Sequence, residues 1–420
     1  MDKFVIQGGK KLNGTLKISG AKNASLALMP AALLASGKFQ LRNTPNLRDV
    51  TTMSSLLKSM GVKSEMKGDV LTLDTTGVNK FEAPYTHVKK MRASIYVLGP
   101  LVARYGRAKV SLPGGCAWGP RPVNLHIEGI RKLGAEVELK RGYINAKADR
   151  LKGAKIHFDI SSVGATGNVM MAAVLAKGTT LIENAAIEPE ITALAEFLVG
   201  MGAKIDGVGT NRIEIEGVDE LHQTDVTTIP DRIEAGTFLV AAAITGGKIT
   251  LTNVNPDQFS AVTAKLEDAG CKVNIGGNNV TLESTGIIKP VDVTASIYPG
   301  FPTDMQAQWI ALMAIANGTS VVTDMIYSDR FKHVPELARM GADIEMKENA
   351  AVVRGVKQLM GAPVMSTDLR ASASLVLAGL AAEGATEVLR VYHIDRGYEA
   401  IEKKLQGLGA QIERVSGEEF

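Results

Sequence analysis

Two kinds of apolar segment alternate along the chain. The first kind is almost wholly apolar, as in ASLALMPAALLA (24–35) and NVMMAAVLA (168–176), and the second carries a single apolar stripe, as in VTTMSSLLKSMG (50–61). A helix that is apolar all round is buried, whereas a striped helix lies on a surface. Short β-branched runs such as TTLIEN and alternating runs such as RIEIEG separate these segments and predict strands. The pattern therefore predicts buried and outer helices joined by sheet.

The same order of segments occurs six times. Each striped segment ends in Gly followed by a small apolar residue, and these glycines recur at intervals of about 70 residues. They are Gly61, Gly134, Gly202, Gly270, Gly341 and Gly409. Each repeat reads as helix, strand, helix, strand, strand.

Six repeats divide naturally into three and three. We therefore predict an α/β fold of two inside-out α/β barrel-like domains, each made of three repeated βαβαββ-type units with buried central helices. Residues 1–21 with 230–420 would form one domain, provided that the first strand, FVIQG, joins the later half. Residues 22–229 would form the other. The alternative is a single α/β solenoid of six units, but such arrays carry polar capping repeats at their ends, and the sequence has none.

Composition excludes several classes of function. The net charge of +3 does not favour a nucleic-acid or membrane-surface protein. The longest apolar stretch, LALMPAALLA, contains a proline and has about half the roughly twenty residues that a membrane span needs. Two cysteines make no disulfide framework, and the N-terminus lacks the apolar stretch of a secretory signal. We expect a cytoplasmic protein.

Motifs for metals and cofactors do not occur. The sequence contains no GxxxxGK[ST] loop, no HExxH and no paired CxxC, and its six histidines are scattered, so we interpret them as structural. We expect no metal and no other cofactor. The expected partners are small-molecule substrates, not nucleic acid or membrane, and the oligomeric state stays open.

Polar residues gather where the buried helices begin. Such helix ends offer free N–H groups and the positive end of the helix dipole to anions. If the N-termini face one another, the result is a positively biased pocket for phosphate and carboxylate groups. For Asn23, Ser162 and Asp231 the alternative is ordinary N-capping. The residues at this position are Lys22, Asn23, Arg92, Ser162, Gly164, Asp231, Arg232, Asp304, Asp368 and Arg370.

The second repeat contains an irregular segment, LPGGCAWGPRPVNLH (112–126), in place of a short turn. Its glycines and prolines predict a flexible loop that ends in a helix beginning near Pro122. Cys116 would lie on this loop near Arg121 and a helix N-terminus, conditions that favour a reactive thiolate. Trp118 suggests a closing lid. Cys271, by contrast, replaces Ala or Val in the repeat and is expected to be inert.

Nine motifs along the whole chain resemble the enolpyruvyl transferase family of UDP-N-acetylglucosamine 1-carboxyvinyltransferases, within the EPSP synthase superfamily. They are SGAKNA (19–24), MRASIYVLGPLVAR (91–104), LPGGC (112–116), RPV (121–123), SVGAT (162–166), PDRIEAGTF (230–238), FPTDMQAQ (301–308), TDLRASASLVLAG (367–379) and YHIDRGYE (392–399). The resemblance implies two inside-out α/β domains hinged around a cleft. It also implies transfer of the enolpyruvyl group of phosphoenolpyruvate to the 3′-hydroxyl of UDP-N-acetylglucosamine, which opens peptidoglycan synthesis.

The resemblance also implies roles for individual residues. Cys116 would donate a proton to the phosphoenolpyruvate methylene and could form a covalent thioketal, and Asp304 would take the proton of the sugar hydroxyl. Lys22 and Arg396 complete the implied catalytic set. The implied phosphoenolpyruvate ligands are Lys22, Asn23, Arg121, Arg330 and Arg396. The implied nucleotide-sugar ligands are Arg92, Arg121, Pro122, Val123, Asn124, Leu125, Ser162, Val163, Gly164, Asp304 and Ile326.

Two residues depart from the family pattern at the nucleotide end. Asn124 stands where relatives commonly carry Asp, and Ile160 where some carry Lys. Asn still donates and accepts hydrogen bonds to a pyrimidine edge. Two other functions remain open at this point: an EPSP-synthase-like transferase with a shikimate acceptor, against which the cysteine loop argues, and a catalytically inactive module that senses nucleotide sugar.

Overall fold

The computed structural model describes residues 2–113 and 123–416. The chain forms two compact units. Unit 1 comprises Met1–Ser19 and Pro230–Phe420, and unit 2 comprises Gly20–Ile229. Each unit has its own apolar core.

Unit 2 contains seven helices and twelve strands among its described residues. The helices are α1 (Lys22–Ala31), α2 (Arg48–Ser59), α3 (Tyr85–Val88), α4 (Leu98–Tyr105), α5 (Asn124–Lys132), α6 (Val163–Ala173) and α7 (Pro189–Gly200), with 3-10 turns at Ala32–Leu34 and Arg92–Val97. The strands are β3 (Lys38–Arg42), β4 (Lys63–Lys67), β5 (Val70–Asp74), β6 (Glu82–Ala83), β7 (Arg107–Ser111), β8 (Glu136–Lys140), β9 (Tyr143–Lys147), β10 (Lys155–His157), β11 (Thr179–Glu183), β12 (Lys204–Asp206), β13 (Arg212–Glu216) and β14 (Val226–Thr227).

Unit 1 contains six helices and twelve strands among its described residues. The helices are α8 (Arg232–Thr245), α9 (Ser260–Asp268), α10 (Gln306–Met313), α11 (Val334–Arg339), α12 (Leu369–Ala381) and α13 (Ile401–Gly407), with 3-10 turns at Pro256–Phe259, Thr303–Met305 and Val391–Arg396. The strands are β1 (Asp2–Gln7), β2 (Asn13–Lys17), β15 (Lys248–Thr252), β16 (Lys272–Gly276), β17 (Asn279–Glu283), β18 (Val293–Ala295), β19 (Thr319–Asp324), β20 (Asp343–Lys347), β21 (Ala350–Arg354), β22 (Pro363–Met365), β23 (Ala385–Leu389) and β24 (Gln411–Ser416).

The strands form six four-stranded sheets, one for each repeat. In the order β10-β11-β13-β12, for example, β10 and β11 are parallel and the other neighbours are antiparallel. Alternation along β13 explains its orientation, because Ile213 and Ile215 are buried whereas Glu214 is exposed. One face of each sheet therefore covers the core and the other meets solvent.

Two sheets are completed by strands from distant parts of the chain. In unit 2, β14 returns to pair with β3. In unit 1, β1 lies between β23 and β24, with Phe4 opposite Val388 and Arg414. Each unit thus closes upon itself, which a single open solenoid would not do.

Helices of the wholly apolar class form the centre of each unit, and the striped helices lie outside. In unit 2, α4 packs against α6; in unit 1, α12 packs against α8 and α10. Nearly every residue of α8 and α12 is buried. On the outer helix α2, only one side is buried, including Val50, Met53 and Leu57. The predicted fold class is confirmed: an α/β fold of two units, each with three repeats around buried central helices.

Candidate active site

The N-terminal ends of the central helices hold many of the polar groups that the sequence singled out. Ser162, Asp231 and Asp368 are N-caps whose side chains accept hydrogen bonds from backbone N–H groups of α6, α8 and α12. N-capping is therefore one role of Ser162 and Asp231. Asn23 does not cap a helix, since it is the second residue of α1, and it is exposed.

Asp304 is held between two arginines of unit 1. Its Oδ1 lies 2.7 Å from a terminal nitrogen of Arg330, and its Oδ2 lies 2.7 Å from a terminal nitrogen of Arg370. Both guanidinium groups are buried, while the Asp304 side chain keeps 24% of its surface exposed. The carboxylate is thus fixed on both sides by cations and still meets solvent.

The charge of this cluster is set by the arginines. Burial alone would raise the pKa of the Asp304 carboxyl, but Arg370 and Arg330 outweigh it and hold that pKa well below its usual value. Asp304 is therefore ionised at neutral pH. The two guanidinium groups that flank this carboxylate are of the kind that binds an anionic ligand.

Arg330 is positioned by a second carboxylate. Its NH1 donates to the Thr303 hydroxyl over 3.0 Å, and that hydroxyl donates to Asp324 Oδ2 over 2.6 Å. Asp324 Oδ1 accepts from the backbone N–H groups of Ile326, at 2.9 Å, and Tyr327. The predicted nucleotide-sugar residue Ile326 is thereby fixed next to the Arg330 cluster.

Arg396 is the last residue of the 3-10 turn Val391–Arg396 and is half-buried. The turn lies against α12, the helix that begins with Leu369 and Arg370. Unit 1 therefore carries three of the predicted cationic or catalytic residues, namely Asp304, Arg330 and Arg396.

Lys22 of unit 2 is the first residue of α1 and is buried. Its Nζ lies 2.9 Å from Oδ2 of Asp49, a buried residue in the first turn of α2. A buried ion pair of this kind fixes the ammonium group in one direction. The sequence singled out Lys22 but not its partner.

A second polar group of unit 2 surrounds His126, which is 4% exposed. The Asn168 amide accepts from Gly99 N at 2.6 Å, and its Nδ2 lies 3.0 Å from His126 Nδ1. Since Nδ2 can only donate, Nδ1 accepts and the imidazole proton sits on Nε2. Burial, with Arg92 nearby, lowers the pKa of His126 to about 3, so the ring is neutral. A Cβ atom added at Gly164 would lie 3.1 Å from His126 Nε2, so the backbone at the start of α6 lies close to this ring.

Within unit 2, the described residues of the predicted nucleotide-sugar site lie at three places in the chain. Arg92 begins a 3-10 turn, whereas Val163 and Gly164 begin α6 behind Ser162. Val123 is the N-cap residue of α5, with Asn124 exposed and Leu125 half-buried in its first turn. Of the predicted nucleotide-sugar residues, Arg121 and Pro122 lie outside the described residues, as do Cys116 and Trp118 of the predicted loop. Within unit 2, His126 of α5 brings α5 close to Gly164 at the start of α6.

Sequence reasoning missed the residues that hold the predicted site residues in place. Arg370 was noted at a helix start, but its bond to Asp304 was not foreseen, nor were Asp49, Thr303 or the buried Tyr398. His126 was read as structural only. The one available signal for Arg370 was its place in the first turn of a buried helix, the position that Lys22 also occupies.

The described residues contain neither a metal-binding cluster nor a membrane-spanning helix. In residues 2–113 and 123–416, no three His, Cys, Asp or Glu side chains are grouped so that they could hold a metal ion. None of the helices in the same residues combines the length and apolar character needed to cross a membrane.

Comparison with known proteins gives the family. The family model described as EPSP synthase (3-phosphoshikimate 1-carboxyvinyltransferase) matches residues 6–405, and the chain belongs to this family. UDP-N-acetylglucosamine 1-carboxyvinyltransferase of Chloroherpeton thalassium is 61% identical over 100% of this chain and 99% of its own length. The enzymes of the same name from Chlorobium chlorochromatii and Geotalea daltonii are 58% and 54% identical, over 100% and 99% of this chain and 100% of their own lengths.

Solved structures agree on the fold. The enolpyruvyl transferase NikO from Streptomyces tendae is similar with a TM-score of 0.89 and 26% identity, over 99% of both chains. EPSP synthase from Acinetobacter baumannii matches with a TM-score of 0.75 and 21% identity, over 99% of this chain and 100% of its own, which indicates a shared fold only.

Proposed function

We propose that this chain transfers the enolpyruvyl group of phosphoenolpyruvate to the 3′-hydroxyl of UDP-N-acetylglucosamine and releases inorganic phosphate, the first committed step of peptidoglycan biosynthesis. The observation that carries the proposal is the full-length identity of 61% to a relative of that name. The Arg330 and Arg370 guanidinium groups beside Asp304 support it, because the donor substrate is an anion.

The reaction is an addition followed by an elimination. In the addition, the Cys116 thiol protonates the methylene carbon of phosphoenolpyruvate, the sugar oxygen bonds to the central carbon, and the hydroxyl proton passes to the Asp304 carboxylate. In the elimination, the carbon–oxygen bond to phosphate breaks, a proton of the new methyl group returns to the Cys116 thiolate, and the double bond forms again. The proton held by Asp304 leaves with the phosphate. Atoms and charge balance without any other reactant.

Cations compensate the charge of phosphoenolpyruvate on this proposal. Lys22, Arg121 and Arg396 bind the donor with Arg330 at its carboxylate, while Asn23 touches the reacting centre. A carboxylate that engages Arg330 weakens that arginine's hold on Asp304. The pKa of Asp304 then rises, and Asp304 becomes a better base when the substrate is present.

Acceptor choice separates this function from the second candidate. The family model carries the name EPSP synthase, so a shikimate acceptor is the specific alternative. Phosphate release from phosphoenolpyruvate should be measured with UDP-N-acetylglucosamine and, separately, with shikimate 3-phosphate. We expect release with the nucleotide sugar only. Release with shikimate 3-phosphate alone would establish the second candidate, and binding of nucleotide sugar without any turnover would indicate an inactive sensor.

The two cysteines provide an internal test of the proton donor. Cys271 is buried, and burial raises the pKa of its thiol, so it should resist alkylation. We expect the epoxide fosfomycin to label Cys116 and to do so faster with nucleotide sugar bound, as mapped by peptide mass spectrometry. Labelling at Cys271 would contradict this assignment. A Cys116→Ala variant should lose most turnover and keep sugar binding.

A further inference from the structure

Tyr398 lies next to Arg370, which together with Arg330 holds Asp304, and it is 1% exposed. Its ring faces the Arg370 guanidinium, whose carbon is 5.5 Å from the ring centroid. Its hydroxyl lies 3.1 Å from Arg370 NH1, 3.2 Å from Gln308 Nε2 and 2.8 Å from the Thr237 hydroxyl. One oxygen atom therefore contacts side chains of α8, α10 and α12.

The direction of each hydrogen bond follows from the chemistry of its partner. The Arg370 guanidinium only donates, and Gln308 presents Nε2, since the same nitrogen donates to the Asp304 carbonyl over 2.9 Å. The Tyr398 oxygen accepts both, so its own hydrogen goes to Thr237. The Thr237 hydrogen in turn goes to the carbonyl of Ile233 at 2.7 Å. The Gln308 nitrogen also lies 3.1 Å from the Thr237 oxygen, so its second hydrogen is shared between Thr237 and Tyr398, and the Tyr398 hydroxyl both donates and accepts within this network.

Two side chains, Arg370 and Gln308, link the Tyr398 hydroxyl to Asp304. Arg370 holds the carboxylate through Oδ2, and Gln308 holds the backbone carbonyl of the same residue. The Tyr398 hydroxyl binds both of these side chains. Tyr398 contacts neither the Asp304 carboxylate nor bulk solvent, so it is in no position to touch a substrate bound there.

We infer that Tyr398 is a positioning residue for enolpyruvyl transfer, whose hydroxyl fixes Arg370 and Gln308 and thereby the orientation of the Asp304 carboxylate. The inference rests on the proposed function, because Asp304 and Arg330 are assigned there to the reacting substrates. It extends that function by a residue outside the predicted site.

Removing the hydroxyl alone tests the inference. Tyr398→Phe keeps the ring and leaves Arg370 NH1 without its fixed acceptor. We expect kcat/KM for phosphoenolpyruvate to fall about tenfold, the effect of one hydrogen bond to a charged group. The fall should include a lower kcat, because Asp304 takes the hydroxyl proton, and a rise in KM for phosphoenolpyruvate, because the same carboxylate holds Arg330, which binds the donor carboxylate. KM for UDP-N-acetylglucosamine should stay unchanged. Loss of folded enzyme would lower kcat without moving either KM.

Matched variants separate positioning from packing. Tyr105→Phe removes a buried hydroxyl that has no hydrogen-bond partner among the described residues, and it should behave as wild type. Thr237→Val removes the acceptor of the Tyr398 hydrogen in nearly the same shape and should raise the same KM. Thr237→Ser keeps the hydroxyl and should restore wild-type kinetics.

The assay distinguishes the inference from the function on which it rests. Wild-type enzyme without phosphate release from either acceptor would refute the proposed function. Wild-type turnover together with Tyr398→Phe kinetics equal to those of Tyr105→Phe would overturn the inference alone. Equal loss in Thr237→Val and Thr237→Ser would also overturn it, since the hydroxyl would then be irrelevant.

Discussion

Single residues set the electrostatics of unit 1, and Asp304 is the centre of this arrangement. Its carboxylate separates two buried guanidinium groups and compensates part of their charge. A buried cation that loses its partner is costly. On the proposed mechanism, stability and catalysis therefore depend on the same carboxylate, and a variant at this position should reveal both contributions.

Asp304→Asn should abolish transfer and destabilise unit 1. The amide keeps the size of the side chain but can neither take the hydroxyl proton nor balance two arginines. We expect kcat to fall at least about a hundredfold and the free energy of unfolding to fall by about 3 kcal/mol. Binding of nucleotide sugar, measured by calorimetry, should persist. Retained turnover would exclude Asp304 as the base.

His126 should make unit 2 sensitive to acid. Its pKa is about 3 in the folded protein, below the value of about 6.5 for an exposed histidine, so the unfolded chain takes up the proton first as pH falls. Its contribution is complete above pH 6.5 and decreases towards pH 3. Between pH 7 and 5 we expect the wild type to lose about 2 kcal/mol more unfolding free energy than His126→Gln.

Urea unfolding at several pH values checks this difference. His333 of unit 1 also has a pKa of about 3, because of burial and nearby Arg330, but it is present in both proteins and cancels in the comparison. Parallel pH dependences of wild type and variant would show that His126 does not remain neutral in the fold.

The sequence predicted which helix ends carry the polar residues of the candidate site, but not which of these residues bind one another. Residues in the first turns of buried helices could be found from the pattern, and Lys22, Asp304 and Arg370 all lie there. The bond between Arg370 and Asp304 joins two repeats, as does that between Tyr398 and Thr237. Such pairs depend on how neighbouring helices are rotated against one another, which no local pattern specifies.

At the scale of elements, the repeat reuses one position for different purposes. Asn43, Asn184 and Asn253 directly follow the first strand after a buried helix in three repeats, and each amide donates to a nearby backbone carbonyl. In the fifth repeat the equivalent residue is Asp324, which instead accepts from Thr303 and so supports Arg330. The same position of the repeat therefore holds a backbone carbonyl in three copies and, through Thr303, an arginine in the fifth.

The repeat glycines were the strongest signal for element boundaries, and the structure explains them. All six follow an outer helix with φ between +90° and +104°, a backbone conformation that glycine adopts readily at helix ends. The predicted alternation of buried and outer helices is also confirmed. Both predictions rest on local properties of the sequence, namely the apolar pattern and the turn residues. The fold class could therefore be predicted from the sequence.

Two of these glycines make a matched pair. At Gly134 a Cβ atom would have no neighbour within 4 Å, whereas at Gly61 it would lie 2.2 Å from the carbonyl oxygen of Gly77. We expect Gly134→Ala to cost about 1–2 kcal/mol from backbone strain alone. Gly61→Ala should cost clearly more, because the backbone must also move. Equal losses in denaturant unfolding would show that strain, and not space, decides at both sites.

At the scale of the whole molecule, the chain builds two separate cores from one repeated pattern. The first strand completes the last sheet, so residues at the two ends of the sequence share the core of unit 1. Unit 2 lies between them in sequence and has its own core. A core defect should therefore act within one unit.

Phe4 and Phe39 test this independence, because both are fully buried, one on β1 and the other on β3. Replacing either with Ala should cost about 3–5 kcal/mol. Amide hydrogen exchange in Phe4→Ala should increase in β23 and β24, far away in sequence, and not in β5. Phe39→Ala should show the reverse. Increased exchange in both sheets in either variant would mean that the two cores unfold together.

Identification of the product tests the proposed chemistry most directly. The enzyme should be incubated with phosphoenolpyruvate and UDP-N-acetylglucosamine, and the nucleotide sugar analysed by mass spectrometry beside an Asp304→Asn reaction. We predict a nucleotide sugar in which one enolpyruvyl group replaces the hydrogen of the 3′-hydroxyl, formed in equal amount to phosphate and missing with the variant. Unchanged nucleotide sugar from wild-type enzyme, or the same product from Asp304→Asn, would contradict the mechanism.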